Sequence, residues 1–285
     1  AYWLAFNPDK TNSTEVKPDI TTKERIIDTT WEISYPNENT IYKTTAKVLY
    51  SDSRLKENEF LRLGYDDSNW KYYSRQDENN IKSIYGYWRM NIPVGAKSVV
   101  VPSYMLGKEI WLNDKKIKVT DSLISLAPES KLLSFVINRK EEKITVAPFK
   151  FTVGTKENQK LASWYTYGLQ QYSGFLEYET SITIDDTSSN VFIDLGEVKY
   201  MAEVFVNDQP AGARLWPPFK FNISNTLKQG ENKIRIKIGN LIANKMWMKE
   251  DMGKLRTWGW RGIPDLNQCN AGLFGPVKLI YTKSY

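Results

Sequence analysis

The amino-acid sequence predicts an all-β fold of two tandem jelly-roll β-sandwiches. Apolar and charged side chains alternate over 233–238, which is the two-residue period of a strand with one buried face. Clusters of turn-forming residues at 207–210 and 229–232 separate such runs. A motif at 109–114 recurs at 203–208, 94 residues further on, and this spacing is about the size of one sandwich.

The strand pattern also divides the chain into segments. We expect an N-terminal arm over 1–24, because two prolines interrupt it, then a degenerate sandwich over 25–158 and a second sandwich over 159–285. The polar stretch 154–159 marks the boundary and is short enough to keep the two sandwiches in contact. The strands that we expect in chain order are 25–31, 41–49, 85–92, 109–112, 178–184, 203–206, 219–223 and 233–238.

The composition excludes several kinds of chemistry. The chain has no histidine and a single cysteine, Cys269, which excludes Ser-His-Asp and Cys-His catalysis, histidine-metal sites and an internal disulfide. The net charge of +6 comes from basic residues scattered among acidic ones, unlike the basic stripe of a nucleic-acid binder. No apolar stretch is long enough to span a membrane. We therefore expect neither nucleic acid nor a membrane as partner, whereas the basic surface would suit an acidic polysaccharide.

Several motifs resemble those of the sugar-binding, galactose-binding-like jelly-roll domains of glycoside hydrolases. A strand ending in Asn207-Asp208, a Trp-Pro-Pro-Phe loop at 216–219 and a Leu-x-x-Gly-x-Asn motif at 227–232 follow each other here. Enzymes of the β-galactosidase and β-glucuronidase type share this order, and the C-terminal β-sandwich region of large bacterial α-L-rhamnosidases is the most similar. Asp208 stands where the family usually has glycine, at a turn position that Asp can occupy. Further similar motifs lie at 66–70, 85–92, 164–174 and 271–277.

The resemblance implies that the ligand is a carbohydrate. In the related enzymes a (β/α) barrel carries catalysis, and this sequence shows no alternating strand-helix pattern. The resemblance thus implies an ancillary region whose partner is a catalytic barrel domain, in the same chain or in another. It also implies a periplasmic, extracellular or cell-surface location in a bacterium.

Aromatic and basic residues in the expected loops of the second sandwich are the candidate sugar-binding residues. An indole can stack on the apolar face of a pyranose, and basic groups can donate to its hydroxyls. Trp216 could instead pack in the core below its proline turn, and Asn240 could end its strand through hydrogen bonds. For the tryptophans within or beside strands we expect core packing; these are Trp70, Trp88, Trp111 and Trp164. The sugar-binding candidates are Arg214, Trp216, Asn240, Trp247, Trp258, Trp260 and Arg261.

Paired carboxylates are the catalytic device that this composition leaves open, because glycoside hydrolysis uses two of them. The adjacent pairs are Asp66-Asp67, Asp185-Asp186 and Glu250-Asp251. All lie in hydrophilic turns, and neighbouring side chains of a strand point to opposite faces. We therefore expect turn caps and solvated charges, and no catalytic residue. Asp66 and Asp67 offer oxygen ligands for a structural calcium ion, but no spacing singles out a metal site, and no other cofactor is expected.

Three functions stay open at this point. The chain could be a non-catalytic, carbohydrate-binding or ancillary region of a glycoside hydrolase acting on plant or host glycans. It could be a structural brace or a protein-interaction module without a sugar site. It could also be an intact small glycosidase that uses an Asp or Glu pair.

Overall fold

The computed structural model describes residues 20–73, 81–141, 147–185, 187, 189–242, 244 and 270–284. Regular structure in these residues is almost entirely antiparallel β-sheet. The other elements are one short helix, α1, and two 3-10 turns, at Glu57–Phe60, Ser103–Met105 and Ser224–Thr226. The predicted all-β fold of jelly-roll sandwiches is confirmed. No helix in the described part of the chain is long and apolar enough to cross a membrane.

The strands are numbered in chain order. The first twelve are β1 (Ile20–Ile26), β2 (Trp31–Ser34), β3 (Asn39–Lys43), β4 (Lys47–Ser51), β5 (Lys71–Tyr72), β6 (Tyr85–Asn91), β7 (Ala96–Val100), β8 (Glu109–Leu112), β9 (Lys115–Lys118), β10 (Leu123–Ser125), β11 (Leu132–Asn138) and β12 (Phe149–Val153). The others are β13 (Glu157–Gln159), β14 (Phe175–Ile184), β15 (Asn190–Asp194), β16 (Glu197–Lys199), β17 (Met201–Val206), β18 (Gln209–Arg214), β19 (Lys220–Asn222), β20 (Gly230–Gly239), β21 (Gly272–Gly275) and β22 (Lys278–Ser284).

Two sandwiches with the same strand order make up the fold. The first combines a four-stranded sheet, β3-β12-β7-β10, with a six-stranded sheet, β5-β4-β6-β11-β8-β9. The second combines β1-β22-β15-β19 with β13-β2-β14-β20-β17-β18. Each strand of the first therefore has an equivalent in the second, for example β8 and β17, or β11 and β20. The repeat that the motif at 109–114 and 203–208 predicts is present in three dimensions.

The N-terminal strands join the second sandwich rather than the first. β1 pairs with β22 along its whole length, and β2 pairs with β14 and β13. Residues 20–34 thus belong to the second sandwich, and the first sandwich is inserted between β2 and β13. The predicted limits, with an arm over 1–24 and sandwiches over 25–158 and 159–285, do not follow the strand pairing at this end. The physical reason is that β22 and β14 gain backbone partners that would otherwise be missing.

The alternating patterns form the core as expected. Ile234, Ile236 and Ile238 on β20 are fully buried, while the charged residues between them lie on the other face. Buried side chains of both sandwiches belong to one contiguous core, which includes Trp31 and Phe151. The two sandwiches therefore pack on each other as well as within themselves.

A polar junction fastens the sandwiches together. The Nζ of Lys43, at the end of β3, donates to the Gly168 carbonyl (2.7 Å) and to Oε1 of Gln170 (2.8 Å). Oε1 of Gln171 accepts hydrogen bonds from the backbone N–H groups of residues 44 and 45, at 2.8 and 2.9 Å. The segment that leads into β14 is thus anchored to the first sandwich by buried polar contacts.

Candidate functional site

One end of the six-stranded sheet of the second sandwich gathers four strand ends. Phe175 at the start of β14 pairs with Gly239 at the end of β20, and Gly239 pairs on its other side with Met201 of β17. Arg214 ends the neighbouring strand β18. We refer to these strand ends, with the loop 215–219 that follows β18, as the rim.

Trp216 is the most prominent aromatic residue of the rim. It is 60% exposed, as is its neighbour Leu215, whereas Phe219 and Phe221 further along are buried. These two phenylalanines occupy the core below the proline turn, which is where the alternative prediction placed Trp216. The prediction that Trp216 could be a core plug is therefore wrong, and its indole faces solvent.

Arg214 places a positive charge beside this loop. Its guanidinium carbon lies 5.4 Å from the centroid of the Phe221 ring, and its Nη1 donates to the Ala213 carbonyl (3.1 Å). The residue is exposed, and it contacts these groups at the open edge between β18 and β19. A cation held over an aromatic ring by such contacts is oriented but keeps donors free for a ligand.

Asn240 has a structural role at the rim. Its Oδ1 accepts from the Gly174 N–H (2.9 Å), its Nδ2 donates to the Tyr172 carbonyl (2.7 Å), and its own N–H donates to the Gly174 carbonyl (3.2 Å). These bonds tie the end of β20 to the start of β14. The contacts favour the strand-ending role over sugar binding for this residue.

The remaining candidates, Trp247, Trp258, Trp260 and Arg261, lie outside the described residues, as does Cys269. Residues on either side of these candidates are described. Asn240 is at the rim, and Gly272 pairs with Lys199, which is close to the rim because the next residue, Tyr200, donates to the Gly239 carbonyl (2.9 Å). The described residues that flank these candidates in sequence therefore lie at or near the rim.

The sequence analysis missed other rim residues. Phe175 is 36% exposed, and the Nζ of Lys237 lies 4.5 Å from its ring centroid. Leu241 and Ile242, just after β20, are 45% and 69% exposed. The alternation along β14 could have indicated Phe175, because an aromatic residue at its start falls on the charged face. Four apolar side chains besides Trp216 are therefore exposed at or beside the rim.

Of the carboxylates in the adjacent pairs, Asp66 and Asp67 have structural roles, while Asp185 is exposed directly after β14. Asp66 caps its turn by accepting from the Ser68 N–H (2.9 Å), and this bond lowers the pKa of Asp66. Asp67 accepts from Lys47 and Arg89, both at 2.8 Å. Burial by itself would raise the pKa of Asp67, but these two cationic partners outweigh burial and lower it. Asp186, Glu250 and Asp251 lie outside the described residues.

The tryptophans of the strand patterns are buried as expected. Their exposed fractions are 7% for Trp70, 4% for Trp88, 9% for Trp111 and 1% for Trp164.

Within the described ranges no group of three or more Asp, Glu or Cys side chains is arranged to hold a metal ion. The rim is thus the place where a tryptophan is presented to solvent in the described part of the chain.

Comparison with curated proteins gives one informative match. A putative β-glucuronidase of Formosa agariphila is 29% identical over 102 residues, which covers 33% of this chain and 9% of that protein. The predicted resemblance to glycoside hydrolases is confirmed. No protein-family model matches the chain. The match concerns a small part of a much larger relative.

Solved structures similar to this chain are also glycoside hydrolases. A rhamnosidase from Novosphingobium sp. PP1Y matches 93% of this chain and 25% of its own, with 12% identity and a TM-score of 0.32. A putative β-galactosidase from Bacteroides fragilis matches 39% of this chain and 15% of its own, with 27% identity and a TM-score of 0.28. The chain spans a quarter or less of the length of these proteins.

Proposed function

We propose that this chain is a non-catalytic, carbohydrate-binding region of a larger glycoside hydrolase, and that the rim holds its glycan. The observation that carries the proposal is the exposure of Trp216 at 60%, between Arg214 and a proline turn, when the tryptophans of the strands are buried. An indole beside a guanidinium suits the apolar face and the hydroxyls of a pyranose. A periplasmic or cell-surface location and a catalytic barrel as partner domain form part of the same proposal.

Weak binding is expected from a site of this kind. An indole buries roughly 200 Å², which at about 25 cal/mol/Å² limits its gross contribution to about 5 kcal/mol. Association costs at least ~4 kcal/mol. A rim with one or two stacking residues is therefore expected to bind glycans with dissociation constants of about millimolar to high micromolar.

A bracing role is the second candidate. Exposed Phe175, Leu215 and Trp216, with Leu241 and Ile242 next to them, would equally suit contact with another protein domain. In that case the rim would pack on a catalytic domain and would not bind sugar. This alternative predicts that no glycan is retained by the chain.

Affinity electrophoresis through gels that contain soluble plant and bacterial polysaccharides tests the proposal. Trp216→Ala should weaken retention by roughly tenfold or more, because the stacking surface is lost. Leu215→Ala is the matched control, since Leu215 is adjacent and equally exposed but is not aromatic. Thermal unfolding should be unchanged in both variants, because neither side chain is buried.

The two possible failures have different meanings. Retention that survives Trp216→Ala would place the glycan elsewhere on the chain. If no polysaccharide retards the unmodified chain, the carbohydrate-binding function fails and the bracing role replaces it.

A further inference from the structure

A second cleft lies on the first sandwich, away from the rim. It is an open cleft of about 460 Å³ between residues 54–58, on the connection from β4 to β5, and the hairpin β8-β9. Trp111 and Lys116 line it from the hairpin side. Its volume is within the range of small-molecule sites, which is about 300–1,000 Å³.

The side chains around this cleft are predominantly basic. Arg54, Lys56 and Lys116 line it, together with one carboxylate, Glu57. Glu109 adds a second carboxylate from β8, through its ion pair with Lys116 at 2.6 Å. Three cations against two carboxylates leave an excess of positive charge, and the cleft therefore attracts an anionic ligand.

The carboxylate of the cleft is already engaged by the chain itself. Glu57 is paired with Arg54 (2.7 Å) and Lys116 (3.1 Å). Burial would raise its pKa, but the hydrogen bonds from these two partners outweigh burial and lower it. Glu57 therefore acts as an ionised anchor that positions cations, and Arg54 and Lys56 keep exposed donors for a ligand.

The aromatic floor of the cleft has an unused donor. Trp111 is 9% exposed, and its indole N–H has no hydrogen-bond partner among the described residues. A buried donor without an acceptor costs about 1–3 kcal/mol. An oxygen-rich ligand that entered the cleft would offer acceptors close to this group.

At the equivalent position of the second sandwich, a side chain of the protein covers the aromatic ring. The residue equivalent to Trp111 is Phe205, because both stand two residues before the turn Asn of their hairpins. The Arg235 guanidinium covers the Phe205 ring at 4.0 Å. Trp111 pairs instead with Ser134, whose hydroxyl donates to the Leu61 carbonyl (2.6 Å). Among the described residues of the first sandwich no cation lies over the Trp111 ring, and the exposed Arg54 and Lys56 line the cleft with it.

We propose that this cleft binds an acidic sugar unit of a glycan, with its anionic group held by Arg54 and Lys56 and its ring against Trp111 and Leu55. The inference rests on the proposed carbohydrate function, to which it adds a second site and a class of ligand. Carboxylate and sulfate groups share the chemistry that Arg54 and Lys56 recognise. The test therefore includes a sugar of each kind.

The experiment uses the chain labelled with 5-fluorotryptophan and observed by fluorine NMR. Trp111→Phe and Trp216→Phe assign the resonances of the cleft and of the rim. The ligands are a galacturonic acid trimer, a sulfated galactan tetramer and, as the neutral sugar, maltotriose. Trp111 is expected to shift with one or both acidic sugars and not with maltotriose, and high salt should reduce the shift.

A charge-matched pair of variants tests the two exposed cations. Arg54→Gln/Lys56→Gln should weaken binding at Trp111 by roughly tenfold or more. Lys115→Gln/Lys118→Gln removes the same charge from exposed positions on β9 that do not line the cleft, and it should retain at least half of the affinity. Thermal unfolding of both double variants shows whether each remains folded.

The outcomes separate this inference from the proposed function. If Trp111 stays unshifted by the acidic sugars while Trp216 responds to a glycan, the cleft is not a binding site and the rim proposal stands. If Trp111 responds but Trp216 responds to no glycan, the cleft stands and the rim proposal fails. Equal weakening by both double variants would overturn the assignment of Arg54 and Lys56.

Discussion

The two sandwiches share one strand order but treat the outer face of their six-stranded sheets in opposite ways. In the first, the connection over 52–70 lies on this face and closes a separate small core of Leu61, Trp70, Tyr87 and Trp111. In the second, no described segment covers the face, which carries ion pairs such as Arg235 with Glu177, at 3.1 Å. Strand order alone therefore does not decide whether a sheet face is covered.

Equivalent residues show how the difference arises. Trp88 and Tyr178 face the core at matching places on β6 and β14, since each pairs with the middle of the next strand. The outward residues beside them are Tyr87 and Arg89 on β6, and Glu177 and Glu179 on β14. An aromatic residue and a cation with several donors can hold the segment 52–70 on the sheet. Two carboxylates instead form ion pairs with the lysine and arginine side chains of the neighbouring strand. The outward-facing side chains of the sheet thus decide whether a chain segment packs on its outer face.

The variant Arg89→Met has the largest expected effect among the tests of this comparison. Arg89 is 5% exposed and donates to Asp67 (2.8 Å) and to the carbonyls of Phe60 (3.0 Å), Arg62 (2.6 Å) and Tyr65 (3.2 Å). Without Arg89 these four acceptors lose a buried cationic donor, although Asp67 keeps Lys47 (2.8 Å) and the Arg62 carbonyl keeps the Tyr65 N–H (3.2 Å). The free energy of unfolding, measured with urea, should fall by about 3–5 kcal/mol.

Glu179→Gln is the control at the equivalent position of the second sandwich. Glu179 pairs with Lys233 at 3.0 Å and with Lys156 at 3.7 Å on the open face. Because such pairs are accessible to water and salt, the expected cost is about 1 kcal/mol or less. Similar losses of unfolding free energy in the two variants would show that Arg89 does not hold the segment 52–70 on the first sandwich.

A smaller effect is expected at the hairpin turn that the two sandwiches have in common. Asn113 and Asn207 both adopt a left-handed backbone, with φ of 52°, at the turns of equivalent hairpins. Asn113 donates to the Glu129 carbonyl (2.8 Å), and Asn207 donates to the Thr226 carbonyl (3.0 Å). Alanine at either position should lower the free energy of unfolding by about 2 kcal/mol. Urea unfolding of both variants measures it.

Equal costs would show that the repeated motif has one structural purpose in both sandwiches. A cost at Asn207 alone would contradict this, and it would mean that the turn of the first sandwich is held by its cover instead.

The last predicted effect is a dependence of stability on pH, and it concerns the junction between the sandwiches. Burial lowers the pKa of Lys43 from 10.5 to about 7. Between these two pH values the unfolded chain binds more protons than the folded chain, so the free energy of unfolding rises with pH. The slope from this group is at most about 1.4 kcal/mol per pH unit, and it vanishes below pH ~7.

Lys43→Met should remove this contribution to the slope. Urea unfolding at several pH values between about 7 and 10 measures it. Lys150→Met is the control, because Lys150 is exposed on β12, and it should retain the slope of the unmodified chain. Identical slopes in the Lys43→Met variant and the unmodified chain would show that Lys43 titrates in the folded chain as in the unfolded one.

Local patterns predicted most of the second sandwich. The alternation around Ile236 and the turn at Asn207-Asp208 specify their strands because each depends only on neighbours in sequence. The burial of Trp88 and Trp164 followed from the same patterns. The exposure of Trp216 did not, since a loop residue has no period from which its orientation can be calculated. The cleft at Trp111 also escaped prediction, because Arg54 and Lys116 are far apart in sequence.

The sequence by itself determined the β class, the repeated hairpins and the likeness to glycoside hydrolases, because these depend on residue spacing. Only the tertiary structure decided that β1 and β2 complete the second sandwich, that Phe219 and Phe221 fill the core while Trp216 faces water, and that one sheet face is covered. Strand pairing and packing are settled by competition among distant segments for the same edges and faces. No local pattern records the outcome of that competition.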